Sequence, residues 1–197
     1  MPGGALLLAA GASSRFGSDK RTHRLSGGER LLHATTEKYI GCFEQVVVVL
    51  KQGDAELEIA LATRFGERAP RVVTAAQAHL GMGHSLAAGI ATVSDWVYAF
   101  IALGDMPFIE AATLAQLKRV MECAGPESIV QPSYQGDPGH PVGFGRDHFS
   151  ALQSLSGDAG ARSIIEDLND LKDQMVEVPV SDEGVLRDVD QPTDLDG

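Results

Sequence analysis

Apolar residues fall along this chain in two alternating rhythms, short aliphatic runs and longer stretches with helical spacing. Ala5–Ala9, Val46–Leu50, Arg71–Thr74 and Trp96–Leu103 have the length and composition of strands. Val46–Leu50 is apolar at every position, as expected of a central strand covered on both faces. Between these runs, Glu29–Ile40 carries Leu31, Leu32, Thr35 and Tyr39 at helical intervals, and Ala55–Phe65 carries Leu57, Leu61 and Phe65. Further helices are predicted at Ser85–Val93 and near Glu110–Cys123. Strand–helix alternation of this kind predicts an α/β fold: a mostly parallel, doubly wound sheet between two helical layers. The rhythm then changes. Ser128–Pro132 reads as a strand, Tyr134–Pro141 as a turn-rich insertion and Val142–Phe144 as a short returning strand, a small antiparallel excursion. A helix near Ala159–Asn169 and a strand at Gln174–Val180 follow. With no internal repeat, low-complexity tract or linker, residues 1–197 read as a single domain.

Composition narrows the picture by exclusion. No apolar run approaches the roughly 20 residues that cross a membrane. The N-terminus lacks a basic region followed by a long apolar segment and a cleavage site, which argues against a secretory signal. Cys42 and Cys123 are isolated, as in chains of a reducing compartment, so a cytoplasmic location is expected. A net charge of −11 argues against a nucleic-acid binder. It leaves a nucleotide substrate open, because Arg15, Lys20, Arg21, His23 and Arg24 cluster within ten residues and could attract a triphosphate locally.

That cluster adjoins the most telling stretch, residues 5–20, ALLLAAGASSRFGSDK. The strand breaks into a turn where Gly11 and Gly17 allow close backbone approach. The small side chains of Ala12, Ser13 and Ser14 leave N–H groups to face anionic oxygens. Arg15 adds a forked donor and Lys20 a point charge. Five residues separate Gly11 from Gly17 and Ser18-Asp19 precede Lys20, so this is not a Walker A loop, which needs four residues and then Lys-Ser/Thr. Nor does Gly11-Ala12-Ser13 open a dinucleotide fingerprint. A flexible basic turn after a strand is the plainer alternative.

Five further segments carry candidate chemistry. Leu103-Gly104-Asp105-Met106-Pro107 puts Asp105 at a strand's carboxyl end, where open α/β sheets bind ligands. A carboxylate there suits Mg²⁺ bridged to phosphates, or alternatively accepts backbone N–H groups in a turn. Asp188 and Asp190 would project to one side of an extended segment and complete a metal site, with Asp190 preferred and Asp188 as fallback; an acidic tail is the alternative. Gly81-Met82-Gly83-His84-Ser85 precedes a helix, with Ser85 as a possible N-cap and His84 a surface residue. His140 lies in a turn cluster and could simply fill it. Asp158, at a helix start, either caps the helix or marks a natural anion site.

The run Leu8, Ala9, Ala10, Gly11, Ser13, Arg15, Phe16, Gly17 and Lys20 resembles the L-A-A-G-x-S-x-R-[MF]-G-x-x-K signature of the nucleotidyltransferases related to molybdenum cofactor cytidylyl- and guanylyltransferases. Gly104-Asp105-Met106-Pro107, Gly81–Leu86, Gly139–Phe144, Gly157–Arg162 and Asp188–Leu195 resemble that family's later elements in the same order. Gln191 and Thr193 depart from its usual ending, and Arg21 stands where an apolar residue more often follows the lysine. The resemblance implies a Rossmann-like fold of the nucleotide-diphospho-sugar transferase type. It implies a nucleotide cradle of Leu8 to Arg15, Lys20, Gly81, Gly83 and Ser85. Arg15, Lys20 and Asp105 would be catalytic, Asp105 and Asp190 would hold Mg²⁺, and His140 and Asp158 would meet the acceptor.

The reaction implied is attack of an acceptor phosphate on the α-phosphorus of a nucleoside triphosphate, with pyrophosphate released. Ala10 resembles the cytidylyltransferase branch and favours CTP over GTP. The expected acceptor is a molybdopterin-type cofactor; a sugar, polyol or lactate phosphate is the alternative. A non-catalytic nucleotide-binding accessory protein for a molybdoenzyme is a reading from another class. Small molecules are then the main partners, with a molybdoenzyme under maturation as the protein partner, and neither nucleic acid nor membrane is expected.

Overall fold

The computed structural model of the chain describes residues 2–11, 19–167 and 174–195. All eight strands among the described residues belong to one sheet. Strands β1 (Gly4–Leu8), β2 (Val46–Lys51), β3 (Arg71–Ala75) and β4 (Tyr98–Leu103) run parallel in the order β3-β2-β1-β4. Next to β4 lies β7 (Val142–Gly145), antiparallel to it, followed by β5 (Ile129–Tyr134). The two-residue β6 (Asp137–Pro138) folds back antiparallel on β5, and β8 (Met175–Val180) pairs parallel with β5's other edge. The expected antiparallel excursion is therefore β6 and β7 inside an otherwise parallel sheet.

Side chains alternate between the two faces with the period of the pleat. Ala5, Leu7, Val46, Val48, Leu50, Phe100 and Ala102 point to one core, which Leu32 and Tyr39 of α1 (Leu31–Cys42), Leu57 and Leu61 of α2 (Ala55–Phe65) and Leu114 and Leu117 of α4 (Ala111–Cys123) close. Leu6, Val47, Val49, Ala99 and Ile101 point to the other. There Leu86 and Ile90 of α3 (Met82–Ala91), Phe149 and Leu152 of α5 (Phe149–Gln153) and Ile164 of α6 (Ala161–Asp167) pack. Three layers result, and strand burial on both faces explains why β1, β2 and β4 read as continuous apolar runs.

Differences from the sequence reading cluster at element ends. Helix α3 begins at Met82 with Gly81 as its N-cap, so Ser85 is a buried residue inside the helix and caps nothing. Its start is set by packing: Gly81 has φ +125°, and a Cβ there would stand 2.2 Å from the Gly157 backbone. A Cβ at Gly83 would stand 2.8 Å from the 156–159 backbone, and the Gly83 N–H donates to the Gly157 carbonyl at 2.9 Å. Helix α5 was not foreseen, because one turn holding a single i, i+3 apolar pair, Phe149 and Leu152, carries too little periodicity. Helix α6 starts at Ala161, two residues later than expected; Ala12, Ser13, Ser14, Arg15 and the helix end near Asn169 lie outside the described residues.

Candidate active site

In the sheet, β1 has β2 on one side and β4 on the other, so the connections leaving β1 and β3 diverge at this point. That is the topological switch where open α/β sheets bind ligands. A cleft of about 970 Å³ opens there. Leu8–Gly11 at the carboxyl end of β1, Lys51–Gly53 at that of β2, Ala75 and Ala76 at that of β3 and Leu103–Asp105 at that of β4 each line it. Ala78–Met82 and Ser85 supply the wall at the start of α3, and Lys20, Arg21, Asp158, Asp188 and Asp190 complete it. Leu80 and Met82, 49 % and 47 % exposed, give the rim an apolar edge.

One end of the cleft is acidic. Carboxylate oxygens of Asp105, Asp188 and Asp190 lie within 4.8 Å of one another. The arrangement is packed into the fold: Val189 donates its N–H to the Asp105 carbonyl at 2.9 Å, and its side chain is fully buried against Leu31. Asp194 accepts the N–H groups of Asp190 and Gln191 at 3.0 and 2.7 Å. Lys20 reaches across to this cluster. Its Nζ lies 2.7 Å from Asp105 Oδ2, 3.0 Å from Asp190 Oδ1, and donates to the Val189 carbonyl at 2.8 Å. Burial works against its charge, but Asp105 and Asp190 outweigh that and raise its pKa above the ordinary lysine value. Asp188 is pushed up by burial and by the charges of Asp190 and Asp105. Asp105 Oδ1 is buried with no hydrogen-bond partner.

The cleft gathers Leu8, Ala9, Ala10, Gly11, Lys20, Gly81, Ser85, Asp105, Asp158 and Asp190 from the sequence reading. Gly83 and His140 do not line it. Gly83 is spent on contact with the 156–159 segment. His140 donates its backbone N–H to Val185 at 2.8 Å, and its Nδ1 is buried without a partner. Burial holds that imidazole below its ordinary pKa, against the opposing charges of Asp105 and Asp188. Ala9 offers a ligand little backbone, since its N–H goes to Val49 at 2.9 Å and its carbonyl accepts from Arg21 at 2.7 Å. Asp158 is exposed on the rim, three residues before α6.

The basic cluster divides. Lys20 faces the carboxylates, whereas the Arg21 side chain is 5 % exposed and paired with Asp19 and Asp54. Sequence reasoning missed Asp54, Asp194 and the cleft-lining Lys51 and Gln52. Only their positions at or just past a strand's end, or in a Pro-Thr-Asp turn, mark them out.

The strand order and the cleft at its switch point are those of the nucleotide-diphospho-sugar transferase fold shared by solved nucleotidyltransferase structures. The chain belongs to the family of MobA-like NTP transferase domains, whose family model matches residues 5–174. The bifunctional protein GlmU of Polaromonas naphthalenivorans is 29 % identical over 82 % of the chain, but over 33 % of its own length. The chain thus spans about a third of the curated relatives it matches. A mycobacterial homologue of Rv0371c, from strain JC1, is 28 % identical with a TM-score of 0.79, covering 98 % of this chain and 92 % of that one. A nucleotidyl transferase from Methanothermobacter, 21 % identical, shares the fold with a TM-score of 0.81 over 98 % of this chain and 94 % of its own. No described helix is long and apolar enough to cross a membrane.

Proposed function

We propose that the chain, as one domain, transfers a nucleotide from a nucleoside triphosphate, CTP by preference, to a phosphorylated acceptor of the molybdopterin type. The observation that carries this reading is the convergence of Asp105, Asp188 and Asp190 with Lys20 at the switch point, inside a cleft roomy enough for two substrates. The donor set fits a divalent cation: three hard carboxylate oxygens together, one Asp105 oxygen buried and unpartnered. Asp105 and Asp190 would hold the ion, with Asp188 beside them, and Mg²⁺ would neutralise phosphate charge.

The chemistry requires little covalent work from the protein. An ionised acceptor phosphate oxygen bonds to the α-phosphorus, and the bond from that phosphorus to the α,β-bridging oxygen breaks. The electron pair leaves with pyrophosphate, so no proton must be supplied. Lys20 supports this by passing from Asp105 and Asp190 to the β- and γ-phosphates, whose negative charge grows as they depart. Arg15 would assist from the loop, a role that rests on the resemblance alone. Ala10, against the cleft where β1 ends, supports a cytosine preference by the same resemblance.

Asp158 on the rim supports an acceptor entering beside the 156–160 segment, which packs on the turn before α3. A donor-by-acceptor screen for pyrophosphate release tests the whole reading. Release with CTP and a molybdopterin-type acceptor, dependent on a divalent ion, is expected. Tight nucleotide binding without turnover on any phosphorylated acceptor would favour the accessory role instead.

A further inference from the structure

Arg21 has five N–H donors and every one is used. Nε donates to Asp19 Oδ1 at 2.8 Å and Nη2 to Asp19 Oδ2 at 2.6 Å, a two-pronged grip on one carboxylate. The other Nη2 hydrogen goes to Asp54 Oδ1 at 2.9 Å, while Nη1 donates to Asp54 Oδ2 and to the Ala9 carbonyl, the latter at 2.7 Å. The two carboxylates are held from their own sides as well. Asp19 Oδ1 accepts the Arg21 backbone N–H at 3.1 Å, and Asp54 Oδ2 accepts the Lys51 N–H at 3.1 Å. One buried guanidinium therefore ties together the end of β1, the loop after β2 and the short 3-10 turn Lys20–Thr22.

Two consequences follow from charge and geometry. Arg21 with Asp19 and Asp54 sums to one negative charge, and no donor remains, so Arg21 is not itself a phosphate ligand. Its neighbour Lys20, anchored by that turn, points the opposite way, to Asp105 and Asp190. A long lysine chain gains directional precision only if its backbone is fixed, and the clamp fixes it one residue away.

We propose that Arg21 is a positioning residue for Lys20: it holds the Lys20–Thr22 turn against β1 and β2 so that the ammonium meets the β- and γ-phosphates of a bound nucleoside triphosphate. The proposal rests on the reading of the cleft as a triphosphate site. Lysine cannot take Arg21's place, because an ammonium cannot grip two carboxylates bidentately and a carbonyl at once.

The test compares binding of CTP and CMP, with GTP and GMP in parallel, by calorimetry at saturating Mg²⁺. CMP lacks the phosphates that Lys20 addresses. Arg21→Met is expected to weaken triphosphate binding about tenfold while monophosphate binding stays within about twofold, since only the Lys20 contact is displaced. In a Lys20→Met background the same change should add almost nothing, a non-additivity that marks two residues acting as one unit. Arg21→Lys should fail to rescue. Should Arg21→Met not fold, Asp54→Asn, which keeps one carbonyl acceptor, is expected to give the same triphosphate-selective loss at smaller size. Equal losses for CTP and CMP, or additive losses in the double variant, would overturn the proposal by showing a merely structural role. If the wild-type chain binds no triphosphate, the reading of the cleft fails first, and that result is visible before any variant is made.

Discussion

Lys20 and Arg21 are neighbours in the chain, yet they finish in opposite kinds of environment. Around Arg21 each polar atom has its partner: five donors meet two carboxylates and a carbonyl, and the guanidinium itself is buried. Around Lys20 the accounts do not close. Two carboxylates share its ammonium, one oxygen of Asp105 is buried and unpartnered, and burial together with the charges of Asp190 and Asp105 pushes Asp188 toward its protonated form. A saturated network specifies structure and resists exchange, whereas an under-satisfied one can accept an ion or a phosphate without dismantling the fold. On the proposed reading the first region is scaffold and the second is site.

The sharpest way to break that contrast is Asp105→Asn. On the proposed reading it should cut pyrophosphate release by about 10²–10³-fold, the range seen when one electrostatic stabiliser is removed. Stability should barely change, because the substitution relieves repulsion within the cluster. A large fall in melting temperature would put Asp105 on the scaffold side and dissolve the comparison.

Arg21→Met should do the reverse to stability. Breaking a buried ion pair typically costs about 3–5 kcal/mol, because the partner's charge is left uncompensated. Asp54 is 9 % exposed and would bear that penalty, while Asp19 at 38 % would be partly rescued by water, so the lower end of the range is expected. Denaturant unfolding measures it. A loss below about 1 kcal/mol, the size of a surface pair, would show that the clamp is peripheral.

Lys20→Met tests whether the site is exchangeable. The ammonium now held by Asp105 and Asp190 competes with any divalent ion for the same oxygens. Its removal should therefore raise Mn²⁺ affinity in nucleotide-free protein about fivefold, as read by electron paramagnetic resonance. A weaker Mn²⁺ site would mean that Lys20 organises the carboxylates and does not merely occupy them.

Much of the site side was legible in the sequence, and most of the scaffold side was not. Asp105 could be placed because β4 is an apolar run that stops at a Gly-Asp-x-Pro turn, and the sheet rule says where such ends point. Asp188 and Asp190 could be placed on one side because extended backbone alternates. Arg21 looked like one more cation for phosphates, since sequence gives its charge and not its partners. Asp54 stands 33 positions away, and only the pairing of β1 with β2 brings it to Arg21. The start of α3 was misjudged for a related reason: Gly81 and Gly83 admit the 156–159 backbone, a contact across more than 70 residues that no local pattern encodes.

The smallest expected effect separates the clamp by pH. Hydrogen bonding to Arg21 depresses the Asp19 carboxyl below its ordinary value of 3.8, with burial opposing and the Arg21 charge reinforcing. A group depressed on folding favours the native state when ionised. Its contribution is therefore complete above the unfolded value and fades as pH falls through the folded one. Asp19→Asn should accordingly be less stable than wild type by a constant margin from neutral pH down to about pH 5, a little more than one unit above the reference value. The margin should narrow below pH 3.8 and close at still lower pH, as wild-type Asp19 takes up the proton that asparagine never carries. Thermal melts of both proteins across this range measure the difference directly. A margin that persists unchanged in acid would mean that shape, and not the ionised carboxylate, is what Arg21 holds at Asp19. The clamp would then rest on Asp54 alone.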